Sequence, residues 1–269
     1  MSEFLAYDFM QRALAAGVVA GLLCAVVSFF VVLQRLSFAG VGIAHSALGG
    51  IAIGVLTGIN PLLTAAFFCT GVAWGIGAVS KKGEVHEDSA IGVFFAVAMA
   101  FGITLISLAR GYYPELFSFL FGNILAVTAG DLWLLAAVAL AVLAFLSLFF
   151  KELLFICFDE EAARASGLPV TPLYYALLTA VALTVVVTVK ILGIVLASAL
   201  LVLPAITAHQ LTKNFRPLLA LSLGAGLFSS VLGLWLSYRF DLPSGATIVL
   251  CGAALFFASL VFKQYRRPV

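Results

Sequence analysis

Charge is what this chain has least of. Asp, Glu, Lys and Arg make up 10% of its 269 residues, while hydrophobic residues make up 64%. Soluble domains carry about 25% charged residues. A chain this poor in charge cannot cover a compact body with polar surface, so lipid is its natural solvent. No basic run is longer than Lys81-Lys82 or Arg266-Arg267, and the net charge is only +2, so nucleic-acid binding is excluded. The four cysteines, Cys24, Cys69, Cys157 and Cys251, are far apart and form no Cys-x-x-Cys; they read as small packing residues. Also missing are Gly-Lys, and with it any GxxxxGK[ST] phosphate loop, as well as HExxH and GxSxG. Nothing here makes the chain an enzyme by itself, and no cofactor is expected to reside on it. The amino-terminal MSEFLAYDFMQRALAAG has acids but no basic start, so the first apolar run is not expected to be a cleaved signal.

What is present is a succession of long apolar runs. A helix needs about 20 apolar residues to cross the hydrocarbon core. Nine segments qualify, near 13–33, 38–58, 61–80, 90–109, 131–150, 173–190, 192–211, 217–237 and 245–262. The second is the weakest, since it holds His45 and many glycines. The seventh holds Pro204, which predicts a kink. Residues 112–127, YYPELFSFLFGNILAV, are apolar but short and read as a re-entrant or interfacial helix. The fold class is therefore an all-α, polytopic membrane helix bundle of eight to nine spans. No hydrophilic domain interrupts it, and residues 1–269 read as a single transmembrane domain.

Nine alternating spans divide the 14 Lys and Arg residues unevenly. One side holds Arg35, Lys81, Lys82, Lys151, Arg164, Lys213, Arg216, Lys263, Arg266 and Arg267; the other holds Arg12, Arg110, Lys190 and Arg239. The richer side is expected to be cytoplasmic, which puts the N-terminus outside and the C-terminus inside. On that side the longest polar stretch runs over about 151–172. Within it DEEAARASG reads as a short helix, opened by acids and stopped by Gly167 and Pro169. Either it is a plain connection or it docks a cytoplasmic partner.

Small residues recur every fourth position at Gly17/Gly21, Gly50/Gly54/Gly58 and Gly71/Gly75, a pattern that lets membrane helices approach closely. Ionisable residues inside spans point to function. His45, in GVGIAHSALGG, stands out with Ser46 beside it, as a metal ligand or as a packing histidine. His209 reads as interfacial, and His86, in KKGEVHEDSA, as part of a solvated loop.

Four stretches carry a resemblance that spans nearly the whole chain. RLSFAGVGIAHSALGG (35–50), ELFSFLFGNILAVTAGDL (115–132), DEEAARASGLP (159–169), and GIVLASALLVLPAITA (193–208) with DLPSGATIVL (241–250) are similar to motifs of the permease family of ABC importers for manganese, zinc and iron. The resemblance implies a type II importer permease acting as a homodimer. Cytoplasmic ATP-binding subunits and an extracytoplasmic metal-binding protein would complete it. It implies a divalent metal ion, zinc or manganese, as the transported substrate, in a multi-pass cell-membrane protein. Its coupling helix would comprise Glu161, Ala162, Ala163, Arg164, Ala165, Ser166 and Gly167, its metal pathway would include His45 and Ser46, and Asp241 would sit at the extracytoplasmic mouth. The family pattern has an Asp four residues before the histidine; here that position is Val41. A metal chelate as cargo, or a secondary transporter that uses no ATPase, are the rival readings. The second would need mid-span carboxylates, which this sequence does not show.

Overall fold

The computed structural model describes residues 7–81, 86–108, 122 and 124–266. The first four helices are α1 (Asp8–Leu33), α2 (Ser37–Thr57), α3 (Pro61–Lys81) and α4 (Glu87–Leu108). A 3-10 turn, Ile124–Ala126, precedes α5 (Ala129–Leu148), α6 (Phe150–Phe158) and α7 (Glu160–Ala165). Then come α8 (Val170–Leu192), α9 (Ile194–Leu200), α10 (Leu203–Leu211), α11 (Phe215–Phe240) and α12 (Ser244–Arg266). Among the described residues nine helical stretches are long and apolar enough to cross a bilayer, with α9 and α10 together forming the seventh. Each lies within a few residues of its expected place. An all-helical bundle is what lipid demands, because an α-helix satisfies its backbone polar groups within itself. Of the expected re-entrant segment at 112–127, residues 112–121 and 123 lie outside the described residues.

The most deeply buried spans are α1, α2 and α8, whereas α4, α5 and α12 form the perimeter. Side chains such as Phe67 of α3 and Trp133 and Leu140 of α5 stand outward, where lipid replaces water as the contact. Close packing uses the small residues. A Cβ on Gly50 would lie 2.5 Å from the Cα of Ala65, and one on Gly54 2.5 Å from the Cα of Pro61, so α2 and α3 meet backbone to backbone. Gly21 approaches Ser230 and Gly226 of α11 in the same way. The pattern does not hold throughout. Gly58 (φ 70°) caps the end of α2 in the left-handed conformation, and Gly71 meets nothing within 4 Å.

The kink expected at Pro204 is a complete break. Helix α9 ends at Leu200 and α10 begins at Leu203, with Pro204 in its first turn, where a missing N–H leaves no bond unmade. The interruption is stitched from outside. Ser28 of α1, fully buried, donates to the Val202 carbonyl at 3.4 Å and accepts the Ala205 N–H at 3.2 Å. A side chain thus supplies the Ala205 N–H with the acceptor that the helix lost at membrane depth.

Ion pairs agree with the alternation of spans. Lys81 pairs with Glu160 at 3.3 Å, and both lie on the side that nine spans assign them. Lys190 pairs with Asp131 on the opposite side, where Asp131 also completes a capping box with Thr128 at the start of α5.

Candidate functional site

His45 lies in the first half of α2, a helix with no other ionisable residue. Its ring meets Phe95 of α4 edge to face, with centroids 5.0 Å apart and planes at 82°. Its Nδ1 lies 2.9 Å from the carbonyl of Val41, one turn earlier. A carbonyl only accepts, so Nδ1 carries the hydrogen, which leaves Nε2 as the nitrogen that can ligate. Fixing one ring nitrogen so that the other is free to ligate is how metal-binding histidines are oriented. His45 is half-buried. With Val41, also half-buried, and exposed Phe38, it forms a strip at i, i+3 and i+7 that the rest of the chain leaves uncovered.

The broken span runs beside this strip. A Cβ on Gly40 would lie 3.3 Å from Leu201 Cδ1, which places the break against α2. Helix α9 is uncovered at Val195 and partly at Ser198, and the break is partly uncovered at Val202. Ser46, expected near the pathway, turns the other way. It is fully buried, and its Oγ donates to the Gly42 carbonyl at 2.7 Å, so its hydroxyl is spent inside α2. Among the described residues no three His, Cys, Asp or Glu side chains come together as a metal site. One chain therefore offers an ion a single imidazole on this face, with an aliphatic Val41 where the resembled pattern has a carboxylate.

Asp241 lies elsewhere. It closes α11 in the left-handed conformation (φ 51°), which an Asp side chain tolerates better than most. It lines an open cavity of about 370 Å³ with Phe9, Met10, Leu234 and Tyr238, between the start of α1 and the end of α11. His45 does not line this cavity.

The DEEAARASG segment forms α7 as expected. Asp159 caps it, Oδ1 accepting the Ala162 N–H at 2.9 Å. Gly167 ends it at φ 84°, and Leu168 N–H bonds back to the Ala163 carbonyl. Ala163 itself has no exposed surface, whereas Glu161, Arg164, Ala165, Ser166 and Gly167 are exposed and Ala162 is half-buried. The outward face is therefore Glu161, Arg164 and Ala165, and Ala163 is an anchor into the bundle. Burial alone would raise the Glu160 carboxyl, but Lys81 at 3.3 Å and Arg164 at 2.9 Å outweigh it and hold it below its ordinary value.

Of the other titratable candidates, His209 is exposed at the end of α10, and His86 is exposed just before α4. The residues between Lys81 and His86, including Glu84, lie outside the described residues. Cys24 and Cys69 are fully buried and all four cysteines are free.

Comparison with known proteins places this geometry. Residues 6–263 match the model of the ABC 3 transport family. The chain is 38% identical over 256 residues to the manganese transport system membrane protein MntC of Listeria monocytogenes, covering 95% of this chain and 91% of that protein. It is 35% identical over 266 residues to a probable iron transport system membrane protein of Haemophilus influenzae, covering 98% and 97%. The solved structure described as PsaBC from Streptococcus pneumoniae in complex with Fab superposes with a TM-score of 0.86 at 32% identity, covering 99% of each chain. With the family model matched over almost its full length, the chain belongs to the ABC 3 transport family.

Proposed function

We propose that this chain is the membrane permease of an ATP-driven importer that carries a divalent transition-metal ion, zinc or manganese, past His45. The observation that carries this reading is the placement of His45: a half-buried imidazole in a membrane span, on the strip with Phe38 and Val41, with its Nδ1 held by the Val41 carbonyl. Ionisable residues inside membrane spans are rare and mark pathways for ions, and a passing cation supplies a reason for this imidazole. A single neutral ligand also suits transport, which requires binding weak enough to release. Further ligands come from water or from a second copy of the chain, whose His45 would meet this one across a twofold axis. Relatives named for manganese and for iron support the substrate class. Imidazole without a neighbouring carboxylate suits zinc better than manganese.

In this reading the chain does no covalent chemistry, and ATP is hydrolysed on separate cytoplasmic subunits. Helix α7 docks into those subunits through Glu161, Arg164 and Ala165. The excess of Lys and Arg on the α7 side makes that side cytoplasmic and the N-terminus external. Asp241, beside its open cavity on the external side, receives the ion or the binding protein that delivers it.

The experiment is uptake by the complete importer in proteoliposomes, measured with radioactive zinc, manganese and iron, each as free ion and as chelate. Saturable, ATP-dependent uptake of a free divalent ion supports the reading. Uptake of the chelate alone overturns the bare-ion pathway. Docking is tested separately. Ala165→Arg should abolish the stimulation of ATPase activity while the permease stays folded, whereas Ala163→Arg should cost folded protein, because that position has no exposed surface.

A further inference from the structure

Among the described residues, one long-range ion pair joins helix α7 to a membrane span. Glu160, in its first turn, accepts from Lys81 Nζ at 3.3 Å, and Lys81 is the last residue of α3. The same ammonium lies 4.4 Å from the ring centroid of Tyr174, in the first turns of α8. Lys81 therefore joins α7, α3 and α8 at one point. Helix α7 does not need this contact to remain a helix. Asp159 caps it, and Glu160 makes its own i,i+4 pair with Arg164 at 2.9 Å. Ala163 anchors it to the bundle by burial.

What lies beyond Lys81 gives the contact its meaning. Helix α3 is locked to α2 at Gly50 and Gly54, where the two backbones leave no room for a Cβ. Helix α4 is locked to α2 at Gly42 against Ile91, and at Gly102, where a Cβ would lie 2.9 Å from the Gly49 backbone. Phe94 of α4 also fills the gap beside Gly75 of α3. Backbones packed this closely move together, because close-packed interfaces do not deform continuously. The α2–α4 unit carries His45 and its Phe95 neighbour.

We propose that Lys81 is the positioning residue that transmits displacement of the docking helix α7 to the α2–α4 unit holding His45. When the ATP-binding subunits draw α7 aside, Glu160 pulls Lys81, and α3 takes α2 and the imidazole with it. Tyr174, already 4.4 Å from the ammonium, keeps it against α8 when the pair lengthens. The inference rests on α7 being the docking element. If it is not, Ala165→Arg leaves ATPase stimulation intact, a result that does not depend on Lys81.

The test uses the complete importer in proteoliposomes and measures metal moved per ATP hydrolysed. Lys81→Gln is expected to lower that ratio by about threefold or more, the scale on which one partly exposed ion pair biases a two-state equilibrium. ATPase activity and folded yield stay near wild type. The reversed pair, Lys81→Glu with Glu160→Lys, is expected to recover most of the loss. The wild-type ratio should fall with added salt, since a partly exposed pair is screened, while that of Lys81→Gln should change little. An unchanged ratio in Lys81→Gln overturns the proposal. So does parallel loss of uptake and ATPase activity in both Lys81→Gln and the reversed pair, which would make the contact structural.

Discussion

Ser28 and Ala205 are joined across the break in the seventh span: the Ala205 N–H donates to Ser28 Oγ at 3.2 Å, although 177 residues separate them in sequence. The same hydroxyl donates to the Val202 carbonyl, which also accepts the Ile206 N–H at 3.1 Å, so the backbone group that relies on this side chain is the Ala205 N–H. A buried amide left without an acceptor costs about 1–3 kcal/mol. Ser28→Ala should therefore lower the unfolding temperature of the detergent-solubilised protein, and Ser28→Thr, which keeps the hydroxyl, should lower it less. Equal melting of Ser28→Ala and wild type would mean that the break is satisfied in another way.

Two glycines of the same sequence pattern should behave in opposite ways. A methyl group on Gly50 would press on the Ala65 backbone, whereas one on Gly71 meets nothing within 4 Å. Overpacking costs about 1–3 kcal/mol, and an unobstructed Gly-to-Ala change in a helix gains up to about 1 kcal/mol. Gly50→Ala should reduce both thermal stability and uptake, while Gly71→Ala should match or exceed wild type in a thermal shift assay. Similar losses at both sites would contradict the packing described for α2 and α3.

Glu160 gives the anchoring of α7 a pH dependence of known sign. Lys81 and Arg164 hold its folded-state carboxyl below the ordinary 4.5. A depressed carboxyl contributes stability that is fully present above its unfolded value and is lost as pH falls through its folded value. Hydrogen exchange in α7, corrected for intrinsic rates, should therefore stay constant from neutral pH down to about 4.5 and lose protection only below it. In Lys81→Gln the loss should be smaller and should end at higher pH, because one of the two cations that lower the carboxyl is gone. Loss of α7 protection already between neutral pH and 5 in the wild-type protein would contradict this.

The spans were legible in the sequence because hydropathy over about 20 residues is a strong signal in lipid, and the described helices follow it within a few residues. The start and stop of α7 were legible as well, from Asp159 before it and Gly167 after it. Which way its residues face was not. In a helix of only six residues the side that meets the bundle is decided by tertiary contacts, so Ala163 went inward although it reads like its neighbours. Ser46 was misleading for a related reason: a serine in a span can satisfy itself on the carbonyl four residues earlier, and here it does. The tie between Lys81 and Glu160 spans 79 residues, and no local pattern announces it. Pro204 marked the seventh span for distortion, but the side chain that bonds across the break, Ser28, is on another helix.

The account depends most on His45, and the most direct measurement is uptake of radioactive zinc and manganese by proteoliposomes containing the complete importer with His45→Ala. Uptake of both ions should fall to background, with folded yield and ATPase activity retained, because the imidazole oriented by the Val41 carbonyl is lost. In parallel, Val41→Asp should raise manganese uptake relative to zinc by adding a hard oxygen ligand one turn away. Uptake by His45→Ala at the wild-type rate would contradict the account and reduce the histidine to a packing residue against Phe95.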